Sequence, residues 1–143
     1  MKTVPETLEA KRLVNQIMKN SILTIDSSVP AYEAAKMMED LNVGSLVVAE
    51  NNLPVGIITD RDFAIKITAH SYPRDTPVRR IMSSPIISIG PFDTLLVAAE
   101  LMSSNKLRKL PVIQDEKVVG IITATDLIDC MVLNAFKTEN HDR

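Results

Sequence analysis

The sequence predicts an α+β fold built from two copies of a strand–helix–strand–strand–helix unit, a β-α-β-β-α repeat. Three observations predict it. The chain matches itself when shifted by about 64 positions, without a gap. Within each copy, short β-branched runs alternate with segments of helical apolar spacing. Equivalent positions also carry turn and cap chemistry. One copy supplies a single sheet with helices to one side and too little apolar surface to stand alone. Two copies packed through their sheets about a pseudo-twofold axis would bury it.

The match runs through the whole unit. Val14-x-x-Ile17-Met18 falls on Val78-x-x-Ile81-Met82, and Ala34-Ala35-x-x-Met38 on Ala98-Ala99-x-x-Met102. Val55-Gly56-Ile57-Ile58-Thr59-x-x-Asp62 falls on Val119-Gly120-Ile121-Ile122-Thr123-x-x-Asp126. A first strand is read at 22–25 and 86–89, with Pro85 at the edge of the second. A helix follows at 30–41 and 94–105. Pro30 suits a first turn, and Asp93 is the expected N-cap of the second copy. Ala34, Ala35, Met38 and Leu41 recur at helical spacing. Two strands come next, at 45–49 and 55–59, then at 109–114 and 118–123. Asn51-Asn52 and Asp115-Glu116 mark their turns. A second helix closes each copy, at 61–68 and 125–135. The expected organisation is a leading segment 1–13, repeat one 14–68, a linker 69–77 with His70, Pro73 and Pro77, repeat two 78–135, and a polar frayed tail. The leading segment reads as a short helix anchored by Leu8 and Leu13.

Composition narrows the function classes. Aromatic residues make up 3% of the chain and Trp is absent, so the core is aliphatic and stacking platforms for single-stranded nucleic acid are lacking. A net charge of −2 with mixed signs gives no basic stripe for DNA, and Arg79-Arg80 reads as a solvated face. One cysteine, Cys130, forms no internal disulfide. It reads as a small apolar core residue, and the chain as one for a reducing cytoplasm. Met1–Arg12 has no apolar signal segment, and no apolar run approaches the ~20 residues that span a bilayer.

The chemistry-bearing motif is Gly-Ile-Ile-Thr-x-x-Asp, which ends a strand and opens a helix in both copies. Thr-x-x-Asp has two compatible readings. As a capping box, Thr59 or Thr123 caps the helix while Asp62 or Asp126 reaches back to free N–H groups. As a ribose clamp, the carboxylate accepts from two vicinal hydroxyls and the Thr hydroxyl adds a third contact.

The repeat length, the element order and this twice-repeated motif resemble the tandem CBS-domain pair, or Bateman module, over residues 14–133. The resemblance implies two clefts between the repeats that take an adenine nucleotide of the AMP, ADP or ATP type, or another adenosyl ligand. One cleft would use Thr59 and Asp62 for ribose, Ile86 and Ile87 beside adenine, and Arg108 and Lys109 for phosphate. The other would use Thr123 and Asp126, with Leu23, Asn20 and Ser21 near the base. The positions matching Arg108-Lys109 are Gly44-Ser45, which carry no charge, and Arg61 is the residue that could compensate. The first cleft is thus the expected phosphate site, and the second is expected to take fewer phosphates, a nucleoside-like ligand or none.

No catalytic constellation accompanies the motif. The two histidines, His70 and His141, fall in the linker and the tail, and no zinc spacing or phosphate-binding glycine loop is present. The expectation is a non-catalytic regulatory module without cofactor or metal, forming a homodimer and engaging neither nucleic acid nor membrane. The competing expectation is a dimerisation or interaction module that binds no nucleotide, with Thr-x-x-Asp serving only as a cap.

Overall fold

In the computed structural model, which describes residues 10–20 and 22–141 with side chains as far as residue 132, the chain divides into two α+β units. One holds Ile22–Ile87. The other joins the described residues up to 20 to those from Ser88 onward.

In the first unit, β1 (Thr24–Asp26) pairs parallel with β2 (Ser45–Glu50), and β2 pairs antiparallel with β3 (Leu53–Thr59). A parallel pair needs a crossover, and α1 (Ala31–Leu41) supplies it. Pro30, with φ −63°, precedes the helix, and Asn42 ends it in the left-handed conformation that Asn tolerates. The helix buries Ala31, Ala34 and Met38, while Ala35 and Leu41 face outward. Asn51 and Asn52, with φ of 50° and 65°, form the tight turn that matches strand twist. The core brings together Ile25, Leu46, Val48, Ile58, Val78 and Ile81 around the helix. Fully burying each such side chain contributes roughly 1.5–3 kcal/mol.

The closing helix of this unit differs from its expected form. A single α turn, α2 (Asp60–Asp62), continues as a π-wound segment, Phe63–Ala69, in which the His70 N–H donates to the Ile65 carbonyl at 2.8 Å. Residues 69–77, expected as a linker, are docked. The carbonyls of Thr76 and Arg74 accept from the Ala31 and Tyr32 N–H groups at 2.8 and 3.0 Å, satisfying donors that a helix start leaves open. The Arg74 guanidinium lies 4.9 Å from the Tyr32 ring centroid. Arg79 and Arg80 are exposed on a 3₁₀ turn, as the sequence suggests.

The second unit contains α3 (Leu95–Asn105), β4 (Lys109–Gln114), β5 (Lys117–Thr123) and α4 (Ala124–His141). The strand expected at 86–89 shrinks to one parallel bridge between Ile89 and Val112. The cause is Pro111. Its counterpart Val47 donates to the Leu23 carbonyl at 3.0 Å, whereas proline has no N–H to give. Thr94, not Asp93, caps α3, accepting from the Val97 N–H at 3.3 Å; Asp93 instead accepts from the Gly90 N–H at 2.8 Å. The α4 backbone is helical through His141, longer than the expected 125–135, so the tail is helical up to that residue. Leu13 lies outside any helix and bridges Thr94, and Leu8 lies outside the described residues. Cys130 is buried, with the Arg12 guanidinium donating to its Sγ at 3.4 Å.

The two leading segments change places. Val78, Ile81 and Ser83, which open the second sequence copy, complete the first unit, where Ser83 pairs antiparallel with Ile57 on the outer edge of β3. Val14 and Lys19, which open the first copy, belong to the second unit, where Lys19 pairs with Ile121 on the outer edge of β5. These crossings require glycine beneath them. A Cβ on Gly56 would lie 2.7 Å from both the Met82 sulfur and the Ser83 carbonyl oxygen, and one on Gly120 would collide with the Met18 sulfur.

This exchange predicts where a core defect is felt. Val14→Ala should cost about 2 kcal/mol and speed amide exchange at Lys19 and Ile121, leaving Ile57 and Ser83 protected. Hydrogen exchange read by NMR checks it; loss of protection centred on Ile57 instead would refute the assignment of Val14.

Candidate functional site

Each unit presents a carboxylate where its second hairpin strand turns into a helix. In the first, Thr59 ends β3 in extended conformation, and the chain then turns helical. Asp62 Oδ2 accepts from the Thr59 N–H at 2.9 Å and from its hydroxyl at 3.3 Å. Asp62 Oδ1 is met by the Ser83 hydroxyl at 3.5 Å and the Lys66 ammonium at 3.8 Å. Lys66 is itself tethered, donating to the Ile81 carbonyl at 2.8 Å. Arg61 is exposed, and its backbone N–H donates to Asp60 Oδ1 at 2.9 Å.

The second unit repeats the motif with different neighbours. Asp126 Oδ2 accepts from the Thr123 N–H at 2.9 Å, and the Thr123 hydroxyl accepts from the Asp126 N–H at 3.1 Å. This is the reciprocal capping box that the spacing suggests. The Asp126 side chain is only 8% exposed, and the Lys19 ammonium lies 3.6 Å from its Oδ1.

The remaining expected site residues divide between the units. Leu23 is half-buried against the first core, and Ile86 and Ile87 are half-buried in the same unit. Asn20, Arg108, Lys109, Thr123 and Asp126 belong to the second unit, while Ser21 lies outside the described residues. Arg108 is exposed, and its carbonyl accepts from the Ala124 N–H at 2.8 Å, as that of Gly44 accepts from Asp60 at 3.2 Å. The strand register sets half-buried Lys109 opposite Thr123, and Ser45 opposite Thr59. Three residues at the carboxylates escaped the sequence reading: Lys19, Lys66 and Ser83. Position 19 aligns with 83 across the repeat, directly after Met18 and Met82, and Lys66 stands one helical turn beyond Asp62.

In both sites one carboxylate oxygen is committed to the helix start. The other holds only contacts of 3.5 Å or more, so it retains acceptor capacity for hydroxyl donors. Among the described residues, no group of three or more His, Cys, Asp or Glu is placed to hold a metal ion.

The CBS-domain profile matches residues 14–68 and 78–133. The chain belongs to the CBS-domain family. It is 34% identical over 114 residues to the CBS domain-containing protein YhcV of Bacillus subtilis, covering 80% of this chain and 81% of that one. It is also 36% identical over 115 residues to the mitochondrial CBSX3 of Arabidopsis thaliana, spanning 76% of this chain but only 55% of that protein. Among solved structures, a conserved protein of Pyrococcus horikoshii superposes with a TM-score of 0.80 at 27% identity, over 87% of this chain and 95% of its own. The CBS domain pair of protein MJ0100, solved with 5′-methylthioadenosine and S-adenosyl-L-methionine, superposes with a TM-score of 0.78 at 28% identity, over 86% and 98%. The chain is thus a tandem CBS pair, and no helix among its described residues is long and apolar enough to cross a membrane.

The capping geometry carries its own prediction. Thr123→Val leaves the Asp126 N–H without its acceptor and should cost about 1 kcal/mol, lowering the melting temperature by a few degrees. Thr123→Ser should restore it. Calorimetry of the two variants checks this; equal melting temperatures would show that the hydroxyl is not needed there.

Proposed function

We propose that this CBS pair is a regulatory, non-catalytic module that binds an adenine nucleotide of the AMP, ADP or ATP type, with Asp62 and Asp126 as ribose acceptors. One observation carries the reading. Two carboxylates in equivalent places each keep one oxygen committed to the helix start and the other engaged only by contacts of 3.5 Å or more. A pure cap needs one oxygen, whereas a vicinal diol needs an acceptor with room left. The adenosyl ligands of the structurally similar MJ0100 pair support the ligand class. Thr59 and Thr123 would add hydroxyl contacts to ribose. Leu23, Asn20, Ser21, Ile86 and Ile87 would face the base, and Arg61, Arg108 and Lys109 would serve phosphate. Regulation then requires that the ligand favour one conformation of the protein over another.

A second feature favours self-association. Helix α4 exposes Ile128, Met131 and Val132 at 60%, 61% and 58%, unusual exposure for three apolar side chains within five residues. We assign this face to a homodimer. An interaction module that binds no nucleotide would use the same face, so dimerisation alone does not separate the readings.

Thermal unfolding against AMP, ADP, ATP, GTP, S-adenosylmethionine and NAD does separate them. A ligand at about 100 times its Kd adds roughly 2.7 kcal/mol, a shift of roughly 5–10 °C for a chain of this size. The expected result is a shift with adenine nucleotides, little with GTP, and loss of the response in the Asp62→Asn, Asp126→Asn double variant. A flat response at millimolar ligand would leave Thr-x-x-Asp as a pair of caps.

A further inference from the structure

The two sites share their backbone and differ in charge. Ser83 and Lys19 occupy the same place in their respective units. Each is held on the outer edge of the hairpin by a reciprocal pair of main-chain hydrogen bonds, at 2.9 and 3.2 Å for Ser83 with Ile57 and at 2.9 Å twice for Lys19 with Ile121. Each sends its side chain to Oδ1 of the site carboxylate. The position is therefore part of the site wall in both units, carrying a neutral hydroxyl in one and an ammonium in the other.

The first site also has an ammonium nearby, but of another kind. Lys66 is 28% exposed and tied to the Ile81 carbonyl, so its charge stays beside Asp62. Its counterpart across the repeat is Cys130, so the second site receives no charge from its helix at that position. Lys19 has its main chain fixed while its side chain is 68% exposed, resting at 3.6 Å on Asp126. A ligand diol taking up Asp126 Oδ1 would displace that ammonium, which has a long, rotatable stem and solvent on its open side. It can then follow a negative charge carried by the same ligand.

Resting on the nucleotide reading above, we infer that Lys19 sets the ligand charge at the Asp126 site, selecting phosphate-bearing nucleosides over neutral or cationic ones. The diol replaces Lys19 on the carboxylate, and the phosphate re-pairs the displaced ammonium. An uncharged nucleoside breaks the Lys19–Asp126 pair without compensation. A cationic adenosyl ligand adds repulsion to that loss. The same position in the first unit, Ser83, exerts no such selection.

The test uses the full chain carrying Asp62→Asn, so that the Asp126 site reports alone, with and without Lys19→Ser, the residue found at the matching position. Calorimetric titration with AMP, adenosine and S-adenosylmethionine reads the three ligand charges. Lys19→Ser should weaken AMP roughly five- to tenfold, the range of one charge-assisted contact at a partly exposed site. Adenosine and S-adenosylmethionine should bind as well as before or more tightly. Lys19→Arg should keep the preference for AMP. Equal weakening of all three ligands, or unchanged AMP affinity, would overturn the role of Lys19 while leaving nucleotide binding intact. Absence of binding by all three in the Asp62→Asn chain, where the unsubstituted chain still binds AMP, would overturn this inference alone; absence from both chains would overturn the reading it rests on as well.

Discussion

Two reciprocal main-chain pairings, Lys19 with Ile121 and Ser83 with Ile57, hold much of this structure in place. Each closes the outer edge of a hairpin that would otherwise present unpaired N–H and C=O groups. Each also brings a methionine across a strand, which is why Gly56 and Gly120 carry no side chain. Val14 and Val78, both fully buried, anchor the segments that make these crossings. The hydrophobic residues just upstream and the site residue at the crossing itself are thus fixed by the same few bonds.

Pairing of this kind ties the carboxylate sites to the framework. Thr59 and Thr123 end strands whose other edge is fixed by the hairpin register, and the helix start orients Asp62 and Asp126 through backbone N–H donors. The uncommitted oxygen needs no movable loop to present it. A site built on strand ends and helix starts keeps its geometry while the residues around it vary, so two copies of one motif can diverge in charge without losing their shape.

Divergence between the copies follows from single side chains. Pro111 replaces Val47 and removes one N–H, and the first strand of that copy contracts to a bridge at Ile89. Lys66 and Cys130 share a position, so a tethered ammonium in one unit answers a buried thiol in the other. The closing helices differ as well: one is π-wound over Phe63–Ala69 and the other is α-helical from Ala124 to His141. Such irregular winding concentrates where a helix serves a site as well as a core.

The sequence by itself determined the repeat, the α+β class, the hairpins with their Asn51-Asn52 and Asp115-Glu116 turns, and the Thr-x-x-Asp caps. All of these are local: periodicity, turn chemistry and cap spacing act over a few residues and are written in neighbouring letters. It misplaced the cap at Asp93 because Asp ranks above Thr as a capping residue, and only the Val97 N–H, which meets Thr94, chooses between the two neighbours. What tertiary structure alone decided is non-local. The exchange of the leading segments, the docking of residues 69–77 on α1, and the meeting of Lys19 with Asp126, 107 positions apart, depend on which edge a strand offers once it is folded. No local preference of residues 14–19 names Ile121 as their partner. The open edge of β5 does, because its N–H and C=O groups pair with whichever segment the fold brings alongside them.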